Sequence, residues 1–210
     1  MEILQNFVVF EGCDGSGTTT QLNILEKFFL PNKPGLPPFY KTFEPTKGSI
    51  GQIIRLGLRE EIILGPQTIA MLFAADRNEH LFGTSGIVER CKRGELVVCD
   101  RYFPSSLVYR GITCGDELPA RLNQDFPRPE LLLFFDLESE IALKRIGKRA
   151  HREIYEYMDF QVQVRQRYKT LLPQLEAQGV RVQTIDASVP PEDVAQNVRE
   201  IIQELPIFKR

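Results

Sequence analysis

The chain has 210 residues, with 26 basic against 28 acidic side chains and a formal net charge of −2. A mildly acidic total argues against a broad nucleic-acid-binding face, and the length suits one domain, or one domain with a small lid. Hydrophobic content of 42% and charged content of 26% are those of a globular chain, and no apolar run approaches the length of a membrane span.

Short apolar runs alternate with longer amphipathic stretches, which predicts an α/β fold with a mainly parallel sheet. In chain order the pattern predicts a strand at Phe7–Phe10, a helix at Thr18–Phe29, a Pro- and Gly-rich surface loop at Leu30–Phe39, and a strand at Tyr40–Phe43. Helices follow at Ser49–Arg59, Pro66–Phe82 and Gly86–Arg93, the last two separated by a break at Gly83 to Gly86. A strand at Glu95–Cys99 comes next. Gly111–Pro129 reads as irregular, because Pro119, Pro127 and Pro129 oppose regular structure. The remainder predicts a strand at Leu131–Asp136, helices at Ser139–Lys148 and Tyr155–Leu172, a strand at Val180–Ile185 and a helix at Pro191–Glu204. The four cysteines (Cys13, Cys91, Cys99, Cys114) form no CxxC pair, only two histidines are present, and Glu2 begins no basic leader. A His- or Cys-type metal site is therefore not expected, and a reducing, cytoplasmic location is.

Phe7–Thr20, FVVFEGCDGSGTTT, is the strongest local signal. An apolar strand feeds a turn with Gly12, Gly15 and Gly17, and the turn feeds a helix. Glycines let successive N–H groups gather around an anion, and the helix start adds the positive end of its dipole. This is the physical content of the phosphate-binding pattern GxxxxGK[ST]. Gly12, Cys13, Asp14, Gly15, Ser16, Gly17, Thr18, Thr19 and Thr20 are the candidate phosphate-binding residues. Thr18 stands where the pattern has lysine, and Thr19 fills the hydroxyl position that ligates Mg²⁺.

With FEGCDGSG and Asp100-Arg101-Tyr102 after the third strand, the chain resembles the bacterial thymidylate kinases from Phe7 to about Ile202. The resemblance implies a three-layer P-loop kinase fold, a five-stranded parallel sheet flanked by helices, forming a single domain over 1–210 with a short basic lid at about 145–156. It implies phosphorylation of dTMP to dTDP by ATP with Mg²⁺, and a homodimer with no nucleic-acid or membrane partner. In VVCDRYFPSSLVYRG, Asp100 at a strand's C-terminal edge would join Thr19 at the metal, and Arg101 offers a planar fork for phosphate. Ser106 matches a small polar residue near the base and Tyr109 a tyrosine against the sugar. Arg110 departs from the glutamine of many members. Phe73 and Arg77, four apart on one helix face, match the family's FAADR segment, and Phe73 would stack on the base beside an exposed Arg77. Arg55 in GSIGQIIR matches a phosphate-side arginine, and Glu44-Pro45 the family's EP turn.

Asp14 matches a carboxylate that contacts the acceptor sugar and helps position the monophosphate. Ala187, after the last strand, matches the segment beside adenine. KRIGKRAHRE places Lys148, Arg149 and Arg152 in the lid. With Gly15 in the loop, the chain fits the family arrangement whose basic residues sit in the lid, and Arg149 and Arg152 are read as carrying charge normally shared with the loop lysine. Two other readings stay open: a kinase for another nucleotide or for a deoxynucleoside, with Asp14 or Glu11 as base, and a nucleotide-binding pseudokinase that lost its chemistry with the lysine.

Overall fold

The computed structural model describes residues 2–29, 35–147 and 157–209. Lys148, Arg149 and Arg152 lie outside the described residues. Five strands, β1 (Ile3–Gly12), β2 (Phe39–Phe43), β3 (Leu96–Asp100), β4 (Arg128–Asp136) and β5 (Arg181–Asp186), form one sheet in the order β2-β3-β1-β4-β5. Every pairing is parallel.

Successive strand side chains point to opposite faces, and a parallel sheet buries both. Phe7 and Val9, Val97 and Cys99, and Leu132 and Phe134 join one core. Val8 and Phe10, Leu96 and Val98, and Leu133 and Phe135 join the other. The first core is closed by α2 (Ser49–Leu58), α3 (Pro66–Phe82), α4 (Ile87–Lys92) and α9 (Met158–Ala177), which contribute Ile54, Ile69, Ile87 and Val164. The second is closed by α1 (Thr18–Phe29), α8 (Ser139–Ile146) and α10 (Pro191–Gln203) through Leu22, Leu25, Ala142 and Val198. The expected helix break is present, with Gly83 capping α3 and Gly86 preceding α4.

Three expectations need correction. β1 starts at Ile3 rather than Phe7, because Ile3 and Leu4 pair with Arg128 and Pro129 before the register shifts. The shift falls at Asn6, whose φ of 64° is one that asparagine tolerates. Residues 111–129 are largely regular: α5 (Phe103–Ser105), a π-helical turn (Ser106–Arg110) and α6 (Gly111–Cys114) run on from one another, α7 (Glu117–Asn123) follows, and β4 begins at Arg128. Pro119 sits in the first turn of α7, where its missing N–H has no intrahelical partner to lose. Finally, α9 runs through Pro173 to Ala177 instead of stopping at Leu172. Leu172 and Leu175 are both buried in the core, and that packing holds the helix across the proline.

Candidate active site

β1 and β3 are neighbours, but their connections leave in opposite directions. β1 feeds α1 on one face, whereas β3 feeds residues 103–123 on the other. Such a divergence opens a crevice at the carboxyl ends of the strands. Two cavities lie there, of about 610 and 140 Å³.

The larger cavity is built mainly from the loop and the start of α1. Gly15 and Gly17 have φ of 85° and 96°, which glycine adopts freely. At Gly15 a Cβ would also lie 2.4 Å from the Ala142 carbonyl oxygen of α8, so backbone proximity excludes any side chain. Thr18, Thr19 and Thr20 line the cavity at the N-terminus of α1, where N–H groups and dipole favour an anion. Ala187 and Arg145 form the opposite wall, with Arg145 donating to the Ala187 carbonyl oxygen at 3.1 Å. Thr19 Oγ1 donates to Asp100 Oδ2 at 2.5 Å. Asp100 Oδ1 is buried and has no hydrogen-bond partner among the described residues. A buried carboxylate oxygen of this kind calls for a partner, and carboxylate with hydroxyl is an oxygen donor set that fits Mg²⁺.

The smaller cavity is walled by side chains, among them Phe73, Arg77, Tyr102, Ser106, Tyr109 and Arg110. Arg77 was expected to be exposed; it is 1% exposed. Its guanidinium donates to Glu44 Oε2 through Nε at 2.9 Å, to Ser106 Oγ at 3.0 Å and to Asn123 Oδ1, and lies 5.3 Å from the centre of the Tyr102 ring. Arg110 is buried with its guanidinium 5.1 Å from the centre of the Phe73 ring. Of the apolar α3 positions, Ile69 belongs to the core, whereas Phe73 faces this cavity.

Asp14 and Arg101 join the two sides. Arg101 has a left-handed φ of 74°, a conformation rare outside glycine that concentrates at functional sites. Its guanidinium donates to Asp14 Oδ1 at 2.8 Å and to the Gly12 carbonyl oxygen. Gln161 of α9, fully buried, completes the clasp: its Nε2 donates to Asp14 Oδ2 at 2.8 Å, and its Oε1 accepts the Asp14 N–H at 3.1 Å. No local pattern singles out Gln161, since a polar residue on an amphipathic helix reads as solvent-facing.

Glu11 is not available as a base. It is fully buried and accepts from the N–H groups of Tyr102 and Ser105 and the hydroxyls of Ser105 and Tyr168. Burial pushes its carboxyl up from the usual range against the pull of Arg101, and its place at the start of residues 103–114 suits a helix N-terminus. Arg55 donates to the carbonyl oxygens of Pro45 and Thr46 and lines neither cavity. Gly12 and Cys13 lie beneath the loop rather than on the cavity walls. Burial raises the Cys13 thiol to about 12, which removes it from thiolate chemistry at neutral pH.

A glycine loop and helix start at the switch point of a five-stranded parallel sheet, with a second cavity opening beside it, define a P-loop kinase. The family model for thymidylate kinase matches residues 10–198. A thymidylate kinase relative from Treponema pallidum is 41% identical over 207 residues, covering 97% of this chain and 98% of the relative. The thymidylate kinase of Clostridium novyi is 33% identical over 209 residues, covering 94% and 98%. The solved thymidylate kinase of Candida albicans shares the fold, with a TM-score of 0.76 at 23% identity over 97% of this chain and 93% of that one. The chain belongs to the thymidylate kinase family.

Proposed function

We propose that this protein transfers the γ-phosphoryl group of ATP to dTMP, giving dTDP and ADP with the help of Mg²⁺. It does so as a single domain over 1–210, with a lid at about 145–156, in a cytoplasmic homodimer. One observation carries the reading: Asp14, Glu44 and Arg101 line both cavities. A polyphosphate in the larger cavity therefore ends where a monophosphate in the smaller one begins. Exposed Ile53, Met71 and Phe82 on α2 and α3 support the homodimer. No described helix is long and apolar enough to cross a membrane.

The loop from Asp14 to Thr20, with Gly12 and Cys13 beneath it, cradles the donor phosphates, Ala187 borders the adenine, and Arg101 grips phosphate at the junction. Phe73 stacks on the base, Arg77, Ser106 and Arg110 face its edge, Tyr109 packs on the sugar, and Asp14, held by Arg101 and Gln161, meets the sugar hydroxyl. Arg55 and Glu44 order the turn before the acceptor phosphate. Thr19 and Asp100 would hold Mg²⁺, which when bound neutralises charge on the donor phosphates. An acceptor phosphate oxygen bonds to the γ-phosphorus as its bond to the bridging oxygen breaks, and ADP leaves. The nucleophile is already anionic, so no general base is needed and positioning does most of the work.

Lys148, Arg149 and Arg152 are proposed to bring lid charge to the transferring group. Removing one such donor lowers turnover by about 10²–10³-fold, so Arg149→Ala or Arg152→Ala should show a fall of that order; near-parental turnover in both removes the lid role. The function itself is tested by ADP release from ATP and Mg²⁺ against a panel of dTMP, other nucleoside monophosphates and thymidine, repeated with Thr18→Lys. Highest turnover is expected with dTMP. Calorimetric binding of ATP and dTMP without ADP release would identify a pseudokinase and overturn the reading.

A further inference from the structure

Thr18 leaves the α1 end of the larger cavity without the ammonium group that the GxxxxGK[ST] pattern places there. Among the described residues, three cationic side chains line that cavity: Lys41, Arg101 and Arg145. Arg101 is clasped to Asp14 and the Gly12 carbonyl oxygen, and Arg145 is tied to Ala187 on the far wall. Lys41 is placed differently. In the β2–β3 register Phe43 lies beside Asp100 and Lys41 beside Val98. Register partners share a sheet face, so Lys41, Phe43 and Asp100 project toward α1, with Lys41 ~6.6 Å short of Asp100 along the strand. The flexible four-carbon stem of lysine spans a comparable length.

The ammonium group lies 2.6 Å from Glu26 Oε2 and 2.9 Å from Asn23 Oδ1. Asn23 and Glu26 follow Thr19 by four and seven residues and share its helix face, so the Lys41 ammonium group rests one to two turns along α1 from the hydroxyl that meets Asp100. The side chains of Lys41 and Glu26 are 26% and 33% exposed. A partly solvated pair of this kind contributes modestly to stability, so exchanging Glu26 for a phosphate oxygen carries a modest penalty.

We infer that Lys41 is a catalytic residue that supplies, from the sheet, the charge missing at position 18. When ATP enters, its ammonium group leaves Glu26 and reaches along α1 to the donor phosphates. The inference rests on the ATP-dependent kinase reading above. It does not involve Arg149 or Arg152, and their removal leaves it in place.

The test is steady-state ADP release with dTMP at varied ATP, alongside thermal unfolding of each variant. Lys41→Met should lower kcat/KM for ATP by about 10²–10³-fold while KM for dTMP stays within about twofold. Glu26→Gln, which removes only the resting partner, should keep parental turnover. Adding Thr18→Lys to Lys41→Met should restore the rate to within about tenfold of the parent, because the charge returns to the same cavity. Should the methionine variant not fold, Lys41→Gln keeps a polar group against α1 and reads the same loss.

Three results overturn the inference. One is a Lys41→Met rate within about threefold of the parent. Another is an equal loss in Glu26→Gln, which would make the ion pair structural. The third is failure of a folded Thr18→Lys, Lys41→Met double variant to recover. Absence of dTMP-dependent ADP release in the parent would overturn the kinase reading itself, and this inference with it.

Discussion

The two cavities are built on different principles. The phosphate end of the larger is backbone and helix terminus, glycines at positive φ and N–H groups at the start of α1, with the side chains of Lys41, Asp100, Arg101 and Arg145 around it. The smaller is mostly side chain, with Arg77 held by Glu44, Ser106 and Asn123 from three separate elements. A backbone cradle accepts any polyphosphate of the right length, because every residue but proline carries the same N–H group. A side-chain pocket is specific to one ligand shape. It is also part of the fold, since its polar groups are buried and must stay paired. Buried polar side chains thus join binding to stability in the smaller cavity, whereas in the larger the join runs through the backbone of its glycine turn.

The sharpest way to break that contrast is Arg77→Met. It leaves Glu44 buried beside His80 without its main partner, and removing one member of a buried ion pair costs about 3–5 kcal/mol. Chemical denaturation should show that loss, and dTMP binding should fail with it, whereas ATP binding in the surviving folded fraction should change little. Equal weakening of both ligands would erase the distinction.

Asp14→Asn probes the junction. The clasp from Arg101 loses its charge, and kcat/KM for dTMP should fall by about 10²-fold, with a thermal midpoint close to that of the parent because Asp14 is only half-buried. Gly15→Ala tests the cradle. The left-handed φ and the Ala142 carbonyl oxygen 2.4 Å away should lower stability by about 1–3 kcal/mol and weaken ATP more than dTMP in calorimetry.

The smallest effect lies outside both cavities. The Arg165 guanidinium, hydrogen-bonded to Asp136, holds that carboxyl below its ordinary range. A depressed carboxyl contributes stability that is present above its unfolded value and lost as pH falls through the folded one. Arg165→Gln should therefore move the onset of acid unfolding, followed by circular dichroism, toward higher pH. The shift should be modest, because the pair is partly solvated.

The same division explains what could be read from the chain alone. The phosphate loop was legible because its parts are contiguous: strand, glycines and helix start follow one another within Phe7–Thr20. The apolar centres of the strands were legible for the same local reason, and so was the three-layer class, whereas the earlier starts of β1 at Ile3 and β4 at Arg128 were not. The run after β3 was harder. Prolines suggested irregularity at 111–129, yet α6, α7 and the start of β4 occupy much of it, since Pro119 falls where a helix has no hydrogen bond to lose.

Arg77 marks the limit. Its spacing from Phe73 places both on one face of α3, but nothing in that spacing shows that Glu44 and Asn123 enclose it. Asp14 and Gln161 are 147 positions apart, and Asp14 and Arg101 87. Periodicity and local motif carry contiguous chemistry because hydrogen-bond geometry within a loop or helix depends on near neighbours. Partners that distant meet because β1 lies between β3 and β4, an order settled by burying both faces of the sheet together.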